Sequence, residues 1–194
     1  MYCLKCIVSF PKKRAAGRND CCHWFISCPR VIFAMRKLSW NTYASWILLV
    51  EAVGALSGWL TREGMRRYRA DLFIRQPALS PPGFVFPVVW VILYALMGIG
   101  AARIYEAGAS KERSRALLIF FLQLAFNFFW SILFFNLQAF GLALIWLVIL
   151  WILICGMIIS FWHVDKAAAL LQIPYLLWVT FAAYLNYGIW SLNR

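Results

Sequence analysis

Five apolar runs, each about as long as a bilayer is thick, constrain this chain more than any other feature. A helix needs about 20 predominantly apolar residues to cross a hydrocarbon core of roughly 30 Å. The sequence offers such runs at approximately 40–60, 84–105, 116–135, 140–162 and 167–190. With 64% hydrophobic and only 13% charged residues, the chain lies far from soluble composition. Backbone polar groups in lipid must be satisfied within their own segment, so each run is expected to be a helix. No apolar run is left over for a soluble domain, and the expectation is an all-α membrane protein, a five transmembrane helix bundle spanning residues 35–194.

Positive charge lies outside the runs. Of 19 Lys and Arg, eight precede Trp40, five fall between Arg62 and Arg75, and four between Arg103 and Arg115. Anionic lipid headgroups, not nucleic acid, are the expected partners of this charge. Residues 1–34 hold five of the six cysteines and show no periodicity, and they read as a poorly ordered basic extension. Cys3 and Cys6 have metal-ligand spacing without a matching second pair, so no metal site is expected. Counting the whole chain, the loop charges favour one orientation by 13 to six; starting at Met35 leaves seven to six, which decides nothing.

Polar and aromatic residues inside the runs fall into stripes. Gln123, Asn127 and Trp130 share a face of the third run; Phe86, Trp90, Tyr94 and Met97 do so on the second, and Pro174, Trp178, Ala182 and Asn186 on the fifth. Each stripe alone fits interhelical packing. Pro87 and Pro174 lie inside two of these runs, where they are expected to bend the helix and open a concavity, while Pro81-Pro82 sets a sharp helix start. Trp and Tyr around a concavity suit a large, planar, mostly apolar ligand with a few polar edges, a tetrapyrrole or a drug-like aromatic. Glu51, midway along the first run, is either a proton-coupling group or a neutral carboxyl bonded across helices. No catalytic constellation is evident: there is no carboxylate pair, no nucleophile with a base, and no phosphate loop.

Three segments, "SPPGFVFPVVWVILYALMGIGAARIY", "QLAFNFFWSILFF" and "IPYLLWVTFAAYLNYGIWSLN", together with "GALSGWLT" on the first run, resemble the TspO/MBR family of tryptophan-rich sensory and translocator proteins. The resemblance covers roughly residues 40–194. It implies a five-helix bundle, a homodimer in a bacterial cell membrane, and a pocket for porphyrins such as protoporphyrin IX or for isoquinoline and benzodiazepine ligands, opening toward the loop between the first two helices. Trp90, Asn127 and Trp178 match the family's ligand-contacting positions. Leu79 stands where the family often has tryptophan, two residues before Pro81 and Pro82, and the cholesterol pattern is not met at the C-terminus. Arg62, Arg66 and Arg67, on a long loop expected over 61–80, would meet propionates at the pocket mouth. A tetrapyrrole sensor or regulator is the leading reading; a transporter of porphyrin-like ligands and an enzyme for light- or oxidant-dependent porphyrin breakdown are the alternatives.

Overall fold

The computed structural model describes residues 39–194. The cysteine-containing extension inferred for residues 1–34 lies outside the described residues. Five helices long and apolar enough to cross a membrane are present, as hydropathy requires. They form the helical bundle expected of a five-span membrane protein.

The first helix, α1 (Trp40–Ala70), runs ten residues past its expected end, so half of the predicted 61–80 loop is helix. Hydropathy stops near Leu60, but helix-forming chemistry does not. Glu63 and Arg66, three apart, pair at 3.0 Å, and Arg67 and Arg69 in the last turn complement the helix dipole. At about 1.5 Å per residue, α1 is about 46 Å long and its last turns stand beyond the hydrocarbon core.

Helix α2 (Val85–Glu106) begins later than Pro81-Pro82, which form the turn ahead of it, with Val85 N–H donating to the Pro82 carbonyl at 3.0 Å. Pro87 therefore sits in the first turn. There its missing N–H is one that would have no intrahelical partner, so no hydrogen bond within the helix is lost to it, unlike the interior position expected from the sequence. The same correction applies to Pro174. The fifth run is not one helix: a short α5 (Lys166–Leu170) stops, the chain turns at Leu171 and Gln172, and α6 (Ile173–Leu192) starts with Pro174 in its first turn. A proline that cannot continue a helix here restarts one.

Ser110 caps α3 (Lys111–Ser131) by accepting from the Arg113 N–H at 3.0 Å. A π-helical turn, Ile132–Asn136, ends that span, and Gln138, at φ 50°, reverses the chain into α4 (Phe140–Trp162). The bundle packs α1 on α2, α3 on α4 and α4 on α6, with the π turn against α1 and α5 against α2, whereas α2 and α6 scarcely touch along their backbones. Buried Met97, Phe120, Leu147, Ile154, Phe161 and Tyr175 lie in one core running through the bundle.

Candidate ligand site

Four buried polar side chains from three helices form one hydrogen-bonded chain. Tyr94 Oη on α2 donates to Asn127 Oδ1 on α3 at 2.8 Å. Asn127 Nδ2 donates to Tyr175 Oη on α6 at 3.0 Å, and Tyr175 Oη donates to Gln123 Oε1 at 3.0 Å. Polar groups at this depth cost several kcal/mol each unless paired, which makes the chain a strong constraint on how the three helices meet. One end remains open: Gln123 Nε2 is buried without a hydrogen-bond partner.

An aromatic wall covers this chain. Trp90 stacks on Tyr94, with ring centroids 5.2 Å apart and 29° between planes, and meets Tyr175 edge-on at 6.2 Å. Further along, Phe86 meets the edge of Trp178 at 5.8 Å, and Trp178 leans on Phe181 at 5.6 Å. Beside Trp178 an open cavity of about 470 Å³ lies between α2 and α6, lined by Val89, Ile92, Leu93, Leu96, Pro174, Leu177, Trp178 and Phe181. All eight are apolar.

The stripes read from the sequence are thus only partly united. Phe86, Trp90, Tyr94, Gln123, Asn127 and Trp178 gather as expected. Ala182 is buried in the core close by. Trp130 packs against the edge of the same core and also meets Phe134 and Phe135, at 5.2 and 6.2 Å, in a second aromatic cluster that includes Tyr68 and Phe140. Asn186, with its amide oriented to pair donor with acceptor, brackets the first turn of α4 through the Phe140 carbonyl (3.0 Å) and the Leu144 N–H (3.1 Å). Tyr175 is the member that sequence reasoning missed. It is fully buried and central to the hydrogen-bonded chain, and its signal was present: Tyr175, Trp178 and Ala182 are spaced i, i+3, i+7.

The arginines expected at a pocket mouth, Arg62, Arg66 and Arg67, lie on the projecting turns of α1, not on a loop. Arg62 lies over the Trp59 ring at 5.2 Å, and both Arg62 and Arg66 reach Glu63. The remaining connection, residues 71–84, carries exposed Leu79 and the Pro81-Pro82 turn. It is fastened to the end of α6. Arg75 N–H donates to Asn193 Oδ1 (2.8 Å), Asn193 Nδ2 donates to the Arg75 carbonyl (2.9 Å), and Pro77 packs where a Cβ on Gly188 would fall.

At the opposite end Arg103 forks onto Asp165, at 2.8 Å to Oδ2 and 3.2 Å to Oδ1, and Asp165 Oδ1 also accepts from the Ala168 N–H at 2.9 Å to cap α5. Burial pushes the Asp165 carboxyl up, but the Ala168 N–H, the Arg103 hydrogen bond and charge, and the Ala167 N–H outweigh it. Its pKa lies below the ordinary carboxylate value.

Comparison with known proteins bears on the same segments. The TspO/MBR family matches residues 46–191. The tryptophan-rich protein TspO of Chlorobaculum tepidum is 39% identical over 78% of this chain and 96% of its own length. The TspO protein of Archaeoglobus fulgidus is 37% identical over 76% and 94%, and the translocator protein of Bos taurus 34% identical over 80% and 92%. Matches of this extent, reaching from α1 to α6 and including every helix that supplies the site, make this chain an integral membrane protein of the TspO/MBR family.

Proposed function

We propose that the protein binds tetrapyrroles such as protoporphyrin IX within the membrane and serves as a sensor or regulator of their level. The observation that carries this reading is the pairing of an aromatic wall, Trp90 stacked on Tyr94 and Trp178 edge-on to Phe86, with a buried polar chain that ends in the unpartnered Gln123 Nε2. A macrocycle offers broad apolar faces for the rings and a few acceptors for such a donor. Sequence kinship to proteins named TspO, CrtK and translocator protein is consistent with a tetrapyrrole-related role.

The test is titration of the purified protein with protoporphyrin IX in darkness, followed by tryptophan fluorescence, with Trp90→Phe and Trp178→Ala beside the parent. Ring contacts are worth about 0.5–1.5 kcal/mol beyond area burial, so each variant should bind at least a few fold more weakly. Saturable quenching in the parent with weakened binding in both variants supports the reading. Unchanged affinity in variants with normal circular dichroism would remove the ligand from this site. Repeating the titration under illumination separates binding from breakdown, because only catalysis consumes porphyrin absorbance over many turnovers.

A further inference from the structure

Of the neighbouring pairs of long helices around the bundle, α2 and α6 approach least along their backbones, meeting through side chains where Phe86 touches Trp178 and Trp90 touches Tyr175. Their seam is closed at both ends by identifiable contacts. At one end Gly100 of α2 receives the Gln172 side chain and approaches the Ala168 carbonyl. At the other, the Arg75–Asn193 clasp and the Pro77–Gly188 contact tie the 71–84 connection across the end of α6. Between them lies the cavity of about 470 Å³, at the depth of the membrane-spanning segments. Its rim residues Ile92 and Leu177 are 55% and 65% exposed, so it opens sideways, away from the core. Trp178 belongs both to this slot and to the aromatic wall.

We propose that the α2–α6 seam is a lateral portal through which a membrane-dissolved ligand reaches the aromatic site, and that a phospholipid acyl chain fills it when no ligand is passing. The occupant follows from the surroundings. An opening within the hydrocarbon layer whose walls are apolar but for the Trp178 indole N–H offers little to water, to a headgroup or to a charged segment, whereas a hydrocarbon chain fills it with dispersion contacts. The aqueous end is the poorer entrance, because the 71–84 connection is held there by two hydrogen bonds. The identity of the incoming ligand rests on the tetrapyrrole reading; the acyl chain does not.

The experiment reconstitutes the full chain in vesicles of phosphatidylcholine with dibrominated acyl chains, which quench tryptophans they touch. Subtracting the emission of Trp178→Phe isolates Trp178, and Trp151→Phe isolates a lipid-facing reference on α4. Trp178 should be quenched to within about twofold of Trp151. Filling the slot mouth with Ile92→Phe and Leu177→Phe should at least halve the quenching of Trp178 and leave that of Trp151 unchanged. A Trp178 that resists brominated lipid, or one indifferent to the filled mouth, overturns the portal. In a second arm protoporphyrin IX is preloaded into ordinary phosphatidylcholine vesicles. The filled mouth should slow association at least fivefold with little change in final affinity, while Asn193→Ala, which opens the clasp, leaves the rate unchanged. The reverse pattern would make the aqueous end the entrance and overturn the proposal. Quenching as expected with no porphyrin binding at all would retain the slot and discard the tetrapyrrole reading.

Discussion

Gly54 of α1 faces the ring of Tyr94 on α2 so closely that a Cβ at Gly54 would overlap the ring carbons. Tyr94 cannot simply retreat, because it is buried, stacked on Trp90 and hydrogen-bonded to Asn127. Gly54→Ala gains up to about 1 kcal/mol of intrinsic helix propensity but forces this overlap, which typically costs about 1–3 kcal/mol. We expect a net loss of stability together with weaker ligand binding. Gly58→Ala is the matched control, since nothing lies within 4 Å of a Cβ there, and it should be neutral or stabilising. Thermal unfolding of both variants in detergent checks the pair; equal behaviour would count against the tight α1–α2 contact.

The chain Tyr94–Asn127–Tyr175–Gln123 should respond as a unit. Tyr175→Phe removes one hydroxyl yet strips a partner from both Asn127 Nδ2 and Gln123 Oε1. Leaving buried polar groups unpaired costs about 1–3 kcal/mol, so the variant should lose stability despite conserving nearly all its volume. Asn127→Leu breaks the same link from the other side, and the double variant should cost less than the sum of the two. A double-mutant cycle by chemical denaturation measures this, and strict additivity would show that the links act independently.

The five spans were legible because lipid imposes length and apolarity on every crossing segment. What escaped were features set by local chemistry inside or just beyond a run. The extension of α1 through Arg66 and Arg67 is polar, so a hydropathy scan ended at Leu60 although the Glu63–Arg66 pairing signals helix. The α5–α6 break is invisible to hydropathy because residues 167–190 stay apolar on average despite Gln172 at the turn; Asp165 as a cap and Pro174 as a first-turn proline were the available signs. Face-sharing put Trp90, Tyr94 and Asn127 on helix faces that the structure brings into contact. It could not tell that Trp130 also reaches a second aromatic cluster, or that Asn186 bonds to the first turn of α4, because crossing helices touch over a limited stretch and a stripe two turns long can leave the contact zone.

Acid should loosen the end of the bundle that holds Asp165. Its carboxyl is held below the ordinary value of 3.8, so the folded state keeps it ionised more readily than the unfolded chain does. The stabilisation is fully present above that ordinary value and is lost as pH falls through the lower, folded pKa. Asp165→Asn retains an α5 cap but loses the fork to Arg103. We expect a cost of about 1–2 kcal/mol near neutral pH, shrinking at pH 3 and below. Unfolding midpoints across pH 2–7 test this; a deficit that does not shrink in acid would mean that the charge of Asp165 is irrelevant.

The arginines on the projecting end of α1 allow the expected recognition of propionates to be tested apart from the fold. Arg62 and Arg66 are largely exposed, and their pairing with Glu63 is of the surface kind, worth at most about 1 kcal/mol, so neither is committed to holding the helix in place. Arg67 is exposed as well. Replacing all three with Gln should therefore leave stability nearly unchanged. If the two propionates of a bound porphyrin reach them, two screened ion pairs of about 0.2–1 kcal/mol each imply weaker protoporphyrin binding, by roughly two- to thirtyfold at low salt, fading as salt rises. A neutral isoquinoline ligand, held by the same rings but carrying no carboxylate, should bind the triple variant as it binds the parent. Parallel titrations of both ligands at low and high ionic strength decide the matter: an equal loss for the two would assign these arginines to shaping the mouth, and no loss for either would leave them to the lipid headgroups.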